Sequence, residues 1–278
     1  MSRAKRRPAP RRPDARERAI GIFDSGIGGL TVVRALTKLL PHESLVYLGD
    51  TGRYPYGTKS ADVVRRYSLE NTAFLVDKQI KLLVVACNTS TALALDAVRA
   101  RVDVPVVGVI EPGAHAAARA TRNRKIGVIG TEGTIRSGEY TRALRTVRSD
   151  LEIYTRACPL FVPLAEEGWV DNEVAGRAAR LYLTSLARSG IDTLILGCTH
   201  FPLLKAVIGA TMGSRVRLID SGVATAAAVQ EALAAEGLGR RRGVGETSFF
   251  VTDAPERFVK VGARFLGAQV DSAVQLDR

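Results

Sequence analysis

Two cysteines occupy closely similar settings in this chain, and a thiol in such a setting can move a proton. In "KLLVVACNTSTALAL", residues 81–95, an apolar run ends at Cys87 and turns polar at Asn88, Thr89, Ser90 and Thr91. In "TLILGCTHFPLL", residues 193–204, a second apolar run ends at Cys198, followed by Thr199 and His200. Each stretch reads as a strand, a thiol and then a helix, which starts near Thr89 in the first case and near Pro202 in the second. A helix start favours negative charge by roughly 0.3–2 kcal/mol, which lowers an ordinary thiol pKa by about 0.2–1.5 units. A useful thiolate fraction near neutrality follows. Taken alone, Cys87 reads equally well as a small buried hydrophobe. The pairing changes that balance: two thiols facing one carbon can run a two-base exchange, in which one removes a proton and the other returns one to the opposite face. The product is the inverted stereocentre. Cys158 supplies the contrast, because in "ACPLFVPL" it precedes Pro159, no capping hydroxyls follow, and packing explains it.

The elements that must position these thiols come from the apolar pattern. From Ala19 onward, short Ile/Val/Leu runs alternate with helix-period segments, as in parallel strands covered on both faces. The fold class is therefore α/β and doubly wound. Strands are expected near residues 20–24, 45–49, 82–86, 106–110, 126–130, 151–154, 192–197, 216–219 and 247–252. Ligands bind such sheets beyond the carboxyl ends of the strands, and five strand ends carry polar clusters. These are "DSGIGG" from Asp24 and Ser25, "DTGRYPYGT" from Asp50, "CNT", "TEGT" from Thr131, and "CTH". The halves echo one another: "AIGIFDSG" precedes Cys87 much as "KIGVIGTEG" precedes Cys198. An internal pseudo-repeat of this kind places the two thiols on opposite walls of a cleft between two doubly wound parallel-sheet domains.

Composition bounds the class. With 278 residues and 46% hydrophobic content the chain can bury a large core. No apolar run approaches the roughly 20 residues of a membrane span, and the charged N-terminus lacks the apolar segment of a signal peptide, so a cytoplasmic location is expected. Three cysteines without close pairing argue against both a disulfide framework and a structural metal. Half of the net charge of +12 sits in residues 1–18, where eight Arg or Lys stand against Asp14 and Glu17. With three prolines and little to bury, that segment is expected to be a disordered basic tail. A second basic cluster, Arg240 to Arg242, reads as a surface loop, and neither cluster carries interleaved aromatics for stacking on single strands.

In order and spacing, "GIFDSGIGGL", "GDTGRYPYGTKS", "ACNTST", "CPLFVPLAEEG" and "GCTHFPLL" make residues 19–278 resemble the glutamate racemases of the cofactor-independent aspartate/glutamate racemase superfamily. The resemblance implies interconversion of L- and D-glutamate, with D-glutamate supplied to peptidoglycan. It implies Cys87 as the base toward the D-enantiomer and Cys198 as the base toward the L-enantiomer. Asp24 beside Cys87, and Glu166 with His200 beside Cys198, match the family's helper groups for proton transfer. Substrate contacts implied are Asp24, Ser25, Tyr56, Gly57, Asn88, Thr89, Thr131, Thr134, Thr199 and His200. Helix-start amides and hydroxyls suit glutamate, which brings two carboxylates into a dry site. No cofactor and no metal are expected. The expected partners are glutamate and a second copy in a homodimer, with no membrane; nucleic acid is not required, although the basic tail leaves weak binding open. Expected boundaries are a tail at 1–18, a first domain at 19–110 with 220–278, and a second domain at 111–219. Phe201 and Ser90 depart from the family's common Tyr and Ala without touching "GCTH" or "ACN".

Other readings are open at this point. "DSGIGG" alone fits a phosphate loop or a tight turn, "YPYG" a turn, His200 a packed histidine, and Glu166 a solvated carboxylate. Aspartate racemase shares the chemistry, and the histidine of "CTH" favours glutamate. A pyridoxal-phosphate racemase needs a Schiff-base lysine, for which only Lys59 adjoins the motifs. A nucleic-acid-binding protein rests on the tail alone. Because every site residue lies after Ala19, a chain starting near Arg18 should keep kcat/KM within about threefold, under about 0.7 kcal/mol. A hundredfold loss would give the tail a part in the cleft or the assembly.

Overall fold

The computed structural model describes residues 14–276. Side chains on a strand point alternately to its two faces, so an uninterrupted apolar strand needs cover on both sides. β1 (Ile20–Asp24) is buried at all five positions, and the chain supplies that cover by alternating strands with helices. It continues through α1 (Leu30–Leu39), β2 (Leu45–Gly49), α2 (Ala61–Asp77), β3 (Leu82–Val85), α3 (Asn88–Arg99) and β4 (Val106–Gly108). A second set follows: α4 (Ile110–Ala120), β5 (Lys125–Gly130), α5 (Glu132–Arg136), α6 (Glu139–Val147), β6 (Glu152–Ala157), α7 (Phe161–Glu167), α8 (Glu173–Arg188), β7 (Thr193–Gly197), α9 (Lys205–Met212) and β8 (Arg217–Asp220). The last elements are α10 (Ser221–Ala235), β9 (Thr247–Val251), α11 (Pro255–Leu266) and β10 (Val274–Gln275). Side-chain caps fix several starts, with Ser60 accepting from the Val63 amide and Asn172 from the Ala175 amide.

The strands form two parallel sheets, ordered β10-β9-β2-β1-β3-β4 and β6-β5-β7-β8. The order β2-β1-β3-β4 is repeated as β6-β5-β7-β8, so the halves echoed in the sequence are the same topology built twice. In each sheet the strand order reverses at one point, between β1 and β3 and between β5 and β7, and ligands settle beyond such points. Asp24 ends β1 and Cys87 follows β3, while Thr131 follows β5 and Cys198 follows β7. After β8 the chain returns to the first sheet, where β9 pairs in parallel with β2. The largest hydrophobic cluster joins side chains of both sheets, among them Ile22, Leu30, Phe161 and Phe201.

All nine expected strands are present within a few residues, and the fold class is as expected. Three details differ. The two-residue β10 has no apolar signal, because both of its side chains are exposed. Cys198 is followed by a 3-10 turn at Phe201–Leu204, and α9 starts only at Lys205, so no α-helix begins near Pro202. Asp14 to Arg18 leave the expected tail: Asp14 caps a 3-10 turn at Ala15–Glu17, and Arg16 Nε donates to the Gly237 carbonyl at 3.0 Å. The remainder of that tail, residues 1–13, lies outside the described residues.

What anchors this segment is a buried ion pair. Lys81 and Glu43 are 2% and 4% exposed, and their charged atoms lie 2.5 Å apart. Lys81 Nζ also donates to the carbonyls of Arg16 and Leu238, and Glu43 Oε1 accepts from the Arg240 amide at 2.7 Å. Four distant stretches of chain are thereby tied under the amino ends of β1 and β3. Deleting one partner strands the other charge in the interior, so Glu43→Ala should lower stability by about 3–5 kcal/mol. The double variant Glu43→Leu/Lys81→Met should recover most of it. Denaturant midpoints measure both, and a loss below about 1 kcal/mol for the single variant would show that the pair is solvated.

Candidate active site

Cys87 is itself the cap of α3. Its backbone is extended and its sulfur accepts from the Ser90 amide at 3.4 Å, taking the place expected of a neighbouring hydroxyl. Its thiol donates to Ser25 Oγ at 3.6 Å. Behind it lies Asp24, fully buried, whose Oδ2 accepts from the Gly26 amide at 3.0 Å. Burial raises the Asp24 carboxyl pKa against the pull of His200 and of the turn amides. The same burial, with the Asp24 charge added, pushes the Cys87 thiol up to about 11. The expectation of a lowered pKa is thus overturned: desolvation and a carboxylate outweigh the helix start. With a pKa of about 11, Cys87 is a protonated thiol at neutral pH. Cys158, fully buried, is pushed up to about 12 by desolvation and packs in the core as expected.

Cys198 is built differently. His200 Nδ1 lies 3.8 Å from its sulfur, and His200 Nε2 lies 3.1 Å from Glu166 Oε1. The ring of Tyr54 stacks on His200, and Phe265 meets it edge-on at 5.1 Å. Burial alone would strip the imidazole of its proton, but Cys198 and Glu166 more than reverse this and raise its pKa to about 10. Glu166 is correspondingly held below the usual carboxylate range, because its hydrogen bond and ion pair with His200, helped by Tyr54 and Arg257, outweigh its own desolvation. An imidazolium beside Cys198 therefore replaces the helix start that the sequence suggested.

Both thiols open on one cavity of about 340 Å³, near the lower end of small-ligand pockets. Ser25, Tyr56, Gly57, Cys87, Asn88, Thr89, Thr131, Glu166, Cys198, Thr199 and His200 all line it. Asp24 and Thr134 stand behind this surface. Asp24 Oδ1 lies 3.5 Å from the Thr199 hydroxyl, while Thr134 forms a triangle of hydroxyls with Thr89 and Thr131 at 3.0–3.2 Å. Asn88 receives the Tyr140 hydroxyl on Oδ1 at 2.7 Å, and its Nδ2 is buried without a partner among the described residues. That is a donor waiting for an acceptor. The Tyr56 hydroxyl turns away to Asp50 and Asn71, so its phenol is not the group offered to the cavity. Among the described residues no cluster of His, Cys, Asp or Glu could hold a metal ion. A wider groove of about 620 Å³ between α3, α4 and α6 carries neither thiol.

Tyr54 and Arg257 also line the cavity and were not foreseen. Tyr54 lies inside the quoted turn beside the chosen Tyr56. For Arg257 a signal existed: "TSFFV" is a strand, and the "TDAPER" that follows it is a strand end like the other five. The titration of His200 has a consequence for stability. Its folded pKa is raised, so its contribution is whole below about 6.5 and is lost as pH rises through about 10. Between pH 6.5 and 8.5, before ordinary cysteines titrate, the melting temperature of the wild type should fall more steeply than that of His200→Gln. Parallel slopes would mean that His200 holds no proton in the folded state.

The Asp/Glu/Hydantoin racemase family matches residues 30–230. The chain is 56% identical over 260 residues to a glutamate racemase of Geobacter metallireducens, covering 93% of this chain and 96% of that one. Among solved structures, a glutamate racemase isoform from Bacillus anthracis superposes with a TM-score of 0.91 at 39% identity, covering 94% of this chain and 98% of that one. The glutamate racemase of Francisella tularensis, solved with D-glutamate, gives 0.89 at 35% identity, with the same coverage. An aspartate racemase homologue from Pyrococcus horikoshii, at 18% identity and a TM-score of 0.58, shares the fold alone. The chain belongs to the Asp/Glu/Hydantoin racemase family and, within it, to the glutamate racemases.

Proposed function

We propose that Cys87 and Cys198 are the paired acid and base that interconvert L- and D-glutamate at Cα without a cofactor. The observation that carries this is their equivalence: each thiol follows the third strand of a repeated four-strand order, and both open on one cavity. Toward L-glutamate, Cys198 as thiolate takes the Cα proton, leaving a planar carbanion, and the Cys87 thiol protonates the other face. The high pKa of Cys87 suits that donor role. Toward D-glutamate the roles reverse, and Asp24, its own pKa raised by burial, stands where the Cys87 proton can go. His200, held by Glu166, serves Cys198 in the same way.

The substrate carboxylates face neutral donors: Asn88 Nδ2, the hydroxyls of Ser25, Thr89, Thr131 and Thr199, with Thr134 behind Thr89 and Thr131, the backbone at Tyr56–Gly57, and the first-turn amides of α3 and α5. The hydroxyls of Thr89, Thr131 and Thr134 hydrogen-bond to one another, and one rotor can swing to a carboxylate oxygen. We further propose two domains, 19–110 with 220–278 and 111–219, supported by the pairing of β9 with β2. Residence in the cytoplasm, where D-glutamate is used for peptidoglycan, fits the absence of any helix among the described residues long and apolar enough to cross a membrane. A homodimer is supported by the exposed apolar side chains Leu160, Trp169, Val174 and Leu181 around α7 and α8.

Incubation with L-glutamate in heavy water, without added cofactor, should exchange the Cα proton as optical rotation decays, and L-aspartate should react far more slowly. Equal rates on aspartate would shift the reading to that substrate. Cys87→Ser and Cys198→Ser should each lose at least about 10²–10⁴ in racemisation rate, roughly 3–5 kcal/mol, while Cys158→Ser stays near wild type. Normal racemisation by either of the first two variants would sink the two-thiol mechanism.

A further inference from the structure

Arg257 and Arg264 stand two turns apart on one face of α11, and both end on Glu166. Arg257 Nη2 lies 3.2 Å from Glu166 Oε2, and Arg264 Nη1 donates to the Glu166 carbonyl at 3.0 Å. α11 packs on α1 beside the first sheet, whereas α7 packs on α8 beside the second, so these contacts cross from one lobe to the other. Gly168 makes the room: it ends α7 with φ +77°, and a Cβ there would lie 2.7 Å from Arg264 Nη1. The other carboxylate oxygen of Glu166 faces His200, which faces Cys198. Guanidinium, carboxylate, imidazole and sulfur thus stand in line, with no counterpart among the described residues at Cys87, whose neighbours are Asp24, Ser25 and Ser90. Tyr54, Glu166 and Arg257 also line a second cavity of about 110 Å³ adjoining the first, so this group is the wall between them.

We propose that Arg257 is a positioning residue for the Cys198 half-reaction alone, holding Glu166 from the opposite lobe so that His200 stays aimed at Cys198. This rests on the two-thiol reading. The groups that face His200 are Asp24 from β1, Tyr54 from the segment after β2, Glu166 from α7 and Cys198 from β7, with Arg257 and Arg264 behind Glu166 on α11. Arg264 binds the main chain of Glu166, so among the described residues Arg257 is the guanidinium on its carboxylate, opposite the His200 imidazolium. A nearby positive charge lowers the pKa of an imidazolium and of a carboxylic acid alike, so its removal raises both. The Arg257 side chain is 57% exposed, which screens the effect and makes it weaken with salt.

Chloride elimination from 3-chloroglutamate separates the two faces, since it needs one base only. The thiolate takes the Cα proton, that electron pair forms the Cα–Cβ double bond, and chloride leaves with the C–Cl pair; the enamine then hydrolyses to 2-oxoglutarate and ammonium. For Arg257→Met, the kcat/KM profile against pH for the L-analogue should move to higher pH by about 0.5–1 unit. On the acid limb that is a loss of about 3- to 10-fold. The profile for the D-analogue should stay in place, and Arg257→Lys should return the L-profile toward wild type. Equal losses on both enantiomers with unmoved profiles would overturn the proposal and leave Arg257 a merely structural contact. Cys198→Ser should keep elimination from the D-analogue and Cys87→Ser from the L-analogue. If those two variants fail to separate the enantiomers, the two-thiol reading falls and this proposal with it; if they separate and Arg257→Met does not discriminate, this proposal alone falls.

Discussion

Asp24 and His200 bring a carboxyl and an imidazolium into the same buried cleft, one from each lobe, and the pull of the His200 charge works against the burial that raises the Asp24 pKa. Neither has more than 2% of its surface exposed. An isolated charge at that depth would neutralise itself by taking or losing a proton, and His200 instead stays charged because Glu166 and Cys198 hold its proton in place. The lobes close tightly about the pair. Thr31 on α1 donates to the Thr199 carbonyl at 3.0 Å, and a Cβ on Gly28 would lie 2.4 Å from His200 Nδ1. The glycine at that position is therefore a requirement of lobe contact, and "DSGIGG" needs no bound phosphate to explain it.

A repeated topology does not oblige a repeated chemistry. The two strand-order reversals deliver two thiols to one cavity, yet the first sits on a helix start beside a carboxylate and the second on a 3-10 turn beside an imidazole. Burial and the carboxyl beside Cys87 raise its pKa, while beside Cys198 it is the imidazole whose proton affinity is raised. Symmetry of backbone supplies the placement, and the side chains around each thiol differ.

The sequence disclosed what is local and periodic. Buried parallel strands announce themselves as continuous apolar runs, and the rule that ligands gather at their carboxyl ends found both thiols, Asp24, Asn88 and the threonine cluster. What it misjudged depends on neighbours far along the chain. The Cys87 pKa is set by Asp24 and by depth of burial, neither visible in "ACNTST". The resemblance points to Tyr56 and passes over Tyr54 in the same turn; both line the cavity, and only their tertiary partners, Asp50 for one and Glu166 with His200 for the other, tell them apart. Glu166 looks like a solvated carboxylate until α11, about 90 residues later, folds over it.

The return of the chain to the first sheet sets an order of assembly. β5 to β8 and their helices are contiguous in sequence, whereas the six-stranded sheet lacks β9 until residue 251 has been made, and α11 comes later still. Domains generally fold as they leave the ribosome, so the central lobe can mature while its flanking lobe still has an open edge at β2. Arg257 and Arg264 are among the last site-facing residues to be synthesised. A nascent chain can therefore carry both thiols on folded strands and still lack the cation that steadies Glu166. A chain cut short before Arg257 has both cysteines in place and lacks the guanidinium that pairs with Glu166.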